Sequence, residues 1–189
     1  LMLIDIPIGL PSSEPRKCDQ EARKLLAPER SSSVFPVPCR KAVYANSFEE
    51  AGKLNQQFLG RKVTKQSWAI CKRISQVDSF LTNPEHPTPY LRESHPEICF
   101  WAMNGHQALH HSKKKTEGLR ERIEILQNYY PKSAAVYNQC IEKFKRKDVG
   151  RDDILDALVL AVTAHLSHNK LKSVAPIAYD EMGLPMEIV

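Results

Sequence analysis

No window of the 189-residue chain approaches the roughly 18 consecutive apolar residues that spanning a bilayer requires. The opening LMLIDIPIGLP carries Asp5 where a signal peptide would be apolar. These absences point to a soluble, cytoplasmic protein with no membrane partner. Glycine is scarce, at 7 residues, and neither G-x-x-x-x-G-K nor G-x-G-x-x-G occurs, which argues against a phosphate-cradling loop. The 5 cysteines, Cys18, Cys39, Cys71, Cys99 and Cys140, are odd in number and form no C-x-x-C pair. That argues against a disulfide framework or a zinc knuckle and for reduced thiols in a cytosol. No Ser or Cys stands in a recognisable nucleophile setting, and there are no repeats or low-complexity tracts.

What is present suffices for one sizeable core: 42% of residues are hydrophobic, so a single domain over residues 1–189 is expected. The net charge of +5 leans mildly toward anionic partners, nucleic acid among them. LMLIDIPIGLP reads as a short buried strand that Pro7 stops, leaving Asp5 near the carboxyl end of a core strand. A chain seldom starts inside its own sheet, so further strands are expected upstream of Leu1. RKCDQEARKLLA reads as a helix ended by Pro28, and SSSVFPVPCR as an ordered loop. NSFEEAGKLNQQFLG has Ser47 three residues before Glu50, the capping-box spacing, and Gly60 as its stop. KQSWAICKRISQVDSFL places Trp68, Ile70 or Cys71, Ile74, Val77 and Leu81 at helical spacing. Residues 12–88 therefore read as a mainly helical insertion between two strands, the second being PYLRESH.

PEICFWAMNG reads as a helix that starts on a proline and ends on Gly105. LRERIEILQNYY, SAAVYNQCIEKFKRK and RDDILDALVLAVTAHL supply three more, and GLPMEIV reads as a last strand. Helices are many and strands few, so the class is α/β, a small sheet covered by helices.

At about 100° per residue, Asp152, Asp153 and Asp156 share one face of their helix, while Ile154, Leu155, Leu158, Val159, Leu160, Val162 and Leu166 cover most other directions. Such a helix packs on more than one side. Asp152 follows Gly150-Arg151 and reads as the N-cap. Asp156 lies beyond the first turn, where a buried carboxylate needs a partner: Arg, Lys or a divalent cation. Glu93 ends the second strand; it could join Asp5 and the helix pair around one ion, or form a salt bridge with Arg92, or cap the helix near Pro96. His95 and Cys99 at i, i+4 could share a metal, but a capping imidazole and a buried thiol fit the apolar setting of Cys99 better. Lys113, Lys114 and Lys115, in a loop before a helix, could receive phosphate or merely be solvated.

In this order, IDIPIGLP, R-x-CD-x-EAR, SSVFPVP, RESHPEICFWAMNG, SKKKTEGLRER and DDILDALVLA resemble the domain-of-unknown-function family 429, predicted ribonuclease H-like nucleases. The likeness spans essentially the whole chain. A more distant one is to RuvC-type junction resolvases, whose closing helix carries an Asp-x-x-Asp pair followed by Ala-Leu, as Asp153 and Asp156 precede Ala157 and Leu158. The resemblance implies a ribonuclease H-like fold binding Mg²⁺ or Mn²⁺, with Asp5 as the acid of a strand and Asp153 and Asp156 as the helix pair. Glu93 and Glu97 belong to the family's E-x-HPE signature. The chain departs from the family in having no strand with a VDG-like motif.

The expectation is a divalent-metal nuclease in which Asp5, Asp153 and Asp156 hold the ion and Glu93 assists. Lys113, Lys114, Lys115 and Arg120 would contact nucleic acid, and Arg16, Arg30, Arg40 and Arg122 fall in family-like motifs where one or two could meet phosphates. The rival readings are a non-catalytic nucleic-acid or protein binding module on the same fold, and a hydrolase or transferase of a small phosphorylated metabolite. The oligomeric state stays open, a homodimer included.

Overall fold

Met2–Ile4 (β1) and Leu91–Glu93 (β2) lie side by side in parallel, Met2 opposite Leu91 and Ile4 opposite Glu93, in the computed structural model, which describes residues 1–85, 90–168 and 170–189. The ladder continues at each end: Met2 N–H donates to Tyr90 O at 2.9 Å and Ser94 N–H to Ile4 O at 3.0 Å. Parallel neighbours need a long crossover. Among the described residues this one carries only helices: α1 (Lys17–Leu25), a 3-10 turn at Ser31–Ser33, α2 (Arg40–Val43), α3 (Phe48–Leu59) and α4 (Lys65–Thr82). Residues 86–88 of the segment read as a helical insertion lie outside the described residues.

After β2 come α5 (Pro96–Met103), α6 (Thr116–Tyr129), α7 (Ser133–Lys143) and α8 (Arg151–Leu166). The tail makes a short antiparallel pair, β3 (Ala178–Tyr179) with β4 (Pro185–Met186). The chain is therefore mixed α/β, mainly helical. GLPMEIV contributes only the two residues of β4, but its end returns to the parallel pair, where Val189 N–H donates to Glu93 O at 3.0 Å. Gly9 has φ +73, and a Cβ there would lie 2.7 Å from Pro185 O, so the loop after β1 runs directly against β4.

Local signals set the helix ends. Ser47 Oγ accepts from Glu50 N–H at 3.1 Å, and the Glu50 carboxylate accepts from Asn46 N–H at 2.9 Å. Gly60 closes α3 at φ 68. In α4 the buried stripe is Ser67, Cys71, Ile74 and Asp78. Cys71 rather than Ile70 faces inward, and Val77 and Leu81 are half-buried. Asp78 is tolerated there because Arg40 and the Tyr44 hydroxyl both donate to its Oδ2. The expected loop at SSSVFPVPCR ends in α2, which Arg40 starts.

Helix α8 touches α5, α6, α7 and β1, as a helix apolar nearly all round must. Leu155 and Val159 are fully buried in its core with Phe100, Leu109 and Leu126, and burying each such side chain contributes about 1.5–3 kcal/mol. That packing fixes which way the remaining face of α8, the one bearing Asp156, must look.

Candidate functional site

Four segments meet beside the carboxyl end of β1. The strand delivers Asp5, α5 delivers Glu97, α8 delivers Asp153 and Asp156, and the loop before α6 delivers Lys113. The loop is seated by a close approach: a Cβ on Gly118 would lie 2.1 Å from Ser112 O, so only glycine lets residues 111–112 lie on the first turn of α6. Arg122, buried in α6, donates through Nη1 to Gly118 O of its own helix at 3.0 Å and to His111 O of that loop at 3.2 Å. Its Nη2 donates to Glu97 Oε1 at 2.5 Å. Glu97 is further fixed by its place in the first turn of α5, where His95 Nδ1 accepts from Glu97 N–H at 3.2 Å. His95 Nε2, on the other side of the ring, lies 3.3 Å from Ser33 O.

Lys113 is the cation of this centre. Its Nζ donates to Asp156 Oδ2 at 2.5 Å, and Glu97 and Asp5 lie within electrostatic reach. Burial pushes the Asp156 carboxyl up to about 6, with Asp5 and Glu97 pushing the same way and Lys113 pulling down. Lys113 behaves differently: burial works against its ammonium, yet Asp156, Glu97 and Asp5 outweigh it and its pKa rises. The asymmetry follows from solvent access, the Lys113 side chain being 33% exposed and that of Asp156 10%. Asp5 is raised too, first by the protein around it, then by Asp153 and Glu97, against the pull of His95 and Lys113. Its side chain reaches solvent, which screens part of that push.

Two oxygens of the centre, Asp156 Oδ1 and Glu97 Oε2, are buried without a hydrogen-bond partner. Hard carboxylate oxygens with unused lone pairs suit Mg²⁺ or Mn²⁺ in kind, and an ammonium already marks the seat as one for positive charge. The carboxylates do not form a ready-made cage: among the described residues no three His, Cys, Asp or Glu side chains stand together as a metal site. Asp5 separates two hollows. A groove of about 830 Å³ between β1 and α8 is lined by Asp5, Asp153, Asp156 and Arg73. A cavity of about 220 Å³ on the other side is lined by Asp5, Glu93, His95, Glu97 and Lys113.

The expected residues thus divide. Asp5, Asp153, Asp156 and Lys113 come together, whereas Glu93 is spent elsewhere. Its Oε2 accepts from Arg16 Nη2 at 2.7 Å and from Ile8 N–H at 2.6 Å, so its partner is Arg16 and not Arg92. Burial pushes the Glu93 carboxyl up and Arg16 opposes it, while two donors and an adjacent guanidinium favour the ionised form. Arg92 instead grips Glu187 with two bonds, at 2.8 and 2.6 Å. The cap near Pro96 is His95, and the Cys99 thiol is buried 3.2 Å from the Ser94 hydroxyl. Lys114 and Lys115 are exposed, and Arg120 pairs with Glu124 at 2.8 Å on the surface of α6.

The reading of Asp152 as N-cap is corrected. The cap position is Gly150, which has no side chain to offer, and it is Asp153 Oδ2 that accepts from Gly150 N–H at 3.2 Å. Reading the sequence left Glu97 outside the site, although the glutamate of HPE, placed in a helix's first turn behind a proline, was the available signal. A family model described as "Protein of unknown function (DUF429)" matches residues 1–177. No curated protein and no solved structure matches the chain.

Proposed function

The chain belongs to the DUF429 family of unknown function, and from that premise we propose that it is a divalent-metal-dependent nuclease, hydrolysing phosphodiester bonds of nucleic acid on a ribonuclease H-like fold. What carries the reading is the meeting of Asp5, Glu97 and Asp156 around one cation seat, which Lys113 fills. Asp5 and Asp156 would hold Mg²⁺ or Mn²⁺, with Asp153 at the rim of the groove. When bound, such an ion polarises the phosphoryl oxygen and acidifies water.

The chain's own groups supply the rest. Asp156 gives its unpartnered Oδ1 and, on release of Lys113, its Oδ2 as well. Lys113, freed from that pair, is left beside the seat to meet a non-bridging phosphate oxygen. Glu97 is held by Arg122 through one oxygen only, so its partnerless Oε2 is free to accept a hydrogen bond from an attacking water. Glu93, bound to Arg16, orients no water in this reading; with Ile8 it anchors the backbone just after Asp5. The five free thiols suit a cytoplasmic protein.

The occupied seat favours one rival, a nucleic-acid binding module in which Lys113 neutralises the acids permanently. Calorimetric titration of the purified chain with MnCl₂, beside cleavage of labelled single- and double-stranded oligonucleotides, separates them. The nuclease reading expects saturable Mn²⁺ binding and metal-dependent cleavage, both lost in Asp156→Asn. Binding of the oligonucleotide with neither Mn²⁺ binding nor cleavage would leave the rival.

A further inference from the structure

A third hollow, of about 840 Å³, lies between α1, the 3-10 turn and the start of α4. Its walls are cationic: Arg16, Arg23, Lys24 and Arg61 line it, and Asp19 is the only acid among the lining residues. Asp19 is turned inward, with one oxygen 3.3 Å from Arg16 Nε and the other accepting from Val37 N–H. Arg23 donates to Val34 O and Lys24 pairs with Glu21 at the surface. Arg61 makes no ion pair among the described residues, so a full positive charge stands there unmatched. Arg16 adds a second unmet demand, because its guanidinium is completely buried and Nη1 has no hydrogen-bond partner.

The N-terminus of the 18-residue α4 opens on the same space through Thr64 and Gln66. Thr64 Oγ1 satisfies Ser67 N–H, but the N–H groups of Lys65 and Gln66 have no acceptor within the helix, which makes this end attractive to anions. Half-buried Phe35 and Pro36 give one wall an apolar, flat character. Cations in a groove beside an aromatic ring are what single-stranded nucleic acid uses, phosphates on the charges and a base on the ring. The cleft shares Asp19 and Phe35 with the small cavity beside the acidic centre, so the two adjoin.

We infer that this cleft binds the sugar-phosphate backbone of a single nucleic-acid strand adjoining the acidic centre, Arg61 and Lys24 meeting its phosphates and Phe35 a base. The inference rests on the nuclease reading for its substrate class, but not for its test. Fluorescence anisotropy of a labelled oligothymidylate is followed against salt in EDTA, where no metal-dependent turnover occurs. Each phosphate contact contributes about 0.7 to the slope of log K against log salt for a single strand. The Lys24→Ala, Arg61→Ala double variant is expected to bind roughly tenfold more weakly at low salt, with a slope shallower by about 1.4. Among the described residues these side chains make no hydrogen bond or ion pair but the exposed Lys24–Glu21 pair, so the variant should keep the wild-type circular dichroism spectrum and melting curve. Unchanged affinity and slope in the folded double variant overturn the inference. If the slope changes as expected but the wild-type chain cleaves nothing with Mg²⁺ or Mn²⁺, the cleft stands and the nuclease reading falls.

Discussion

Replacing Lys113 by Met removes the ammonium from the acidic centre while keeping most of the stem's volume, so the effect isolates charge. In the folded chain the Asp156 carboxyl lies near 6 against an ordinary 3.8. A carboxyl raised on folding keeps its proton longer than the unfolded chain does. Its contribution to stability is therefore full below pH 3.8 and is lost as pH rises through about 6. At about 1.4 kcal/mol per pH unit, that loss amounts to about 3 kcal/mol. Without Lys113 the strongest pull on Asp156 is gone, and the window of loss extends to higher pH.

At pH 5 Asp156 is largely protonated in either folded chain, so the substitution removes little there. At pH 8 the native chain has an ionised pair, whereas in the variant Asp156 must either ionise without a partner or keep its proton, and both cost stability. Breaking a fully buried pair costs about 3–5 kcal/mol; with Lys113 a third exposed, about 1–2 kcal/mol is expected. Urea denaturation in EDTA at the two pH values measures this. Equal destabilisation at pH 5 and pH 8 would refute the assignment of Lys113 as the charge partner of Asp156. The same variant tests the cation seat, because vacating it should raise the Mn²⁺-induced increase in melting temperature, by mass action.

Three other substitutions probe how the centre is built. Gly118→Ala places a methyl group against Ser112 O; a loss of about 1–3 kcal/mol in chemical denaturation is expected, with cleavage falling because Lys113 moves with the loop. Arg16→Met leaves Glu93 buried with only the Ile8 N–H, and should lower stability by about 3–5 kcal/mol, as read from the urea midpoint. Asp153→Ala removes the side chain that accepts from Gly150 N–H and should cost about 0.5–2 kcal/mol in thermal unfolding, a loss that Asp152→Ala should not reproduce.

Elements with local causes were legible in the sequence. The capping spacing of Ser47 and Glu50, the Gly60 stop and the Pro96 start each depend on residues a few positions apart. So does the apolar run of α8, whose packing on several neighbours followed from its composition. What could not be read were partners distant in the chain. Arg16 and Glu93 are 77 positions apart and Lys113 and Asp156 43, and no periodicity encodes such pairs. The two-residue strands at the tail were equally opaque, since hydrophobic pattern alone cannot set how much of GLPMEIV finds a partner.

The acids of RDDILDALVLA show how the site depends on that division. The three carboxylates share a helix face, but what each does is decided by what stands opposite. Gly150, one position before the helix, has no side chain to cap it, and its own N–H donates to the acid at N3, Asp153. Asp152 is thereby relieved of the capping role. Asp156, one turn on, has no backbone donor in reach and is buried against α5, α6 and β1 by the apolar residues around it. Once ionised it needs a cation there, and the chain supplies one from the Gly118-seated loop. A carboxylate paired with an ammonium on a flexible, partly exposed stem is one whose counter-charge can be exchanged. That feature joins the fold to the proposed chemistry, since a permanently bound guanidinium, as Arg16 is to Glu93, would close the seat.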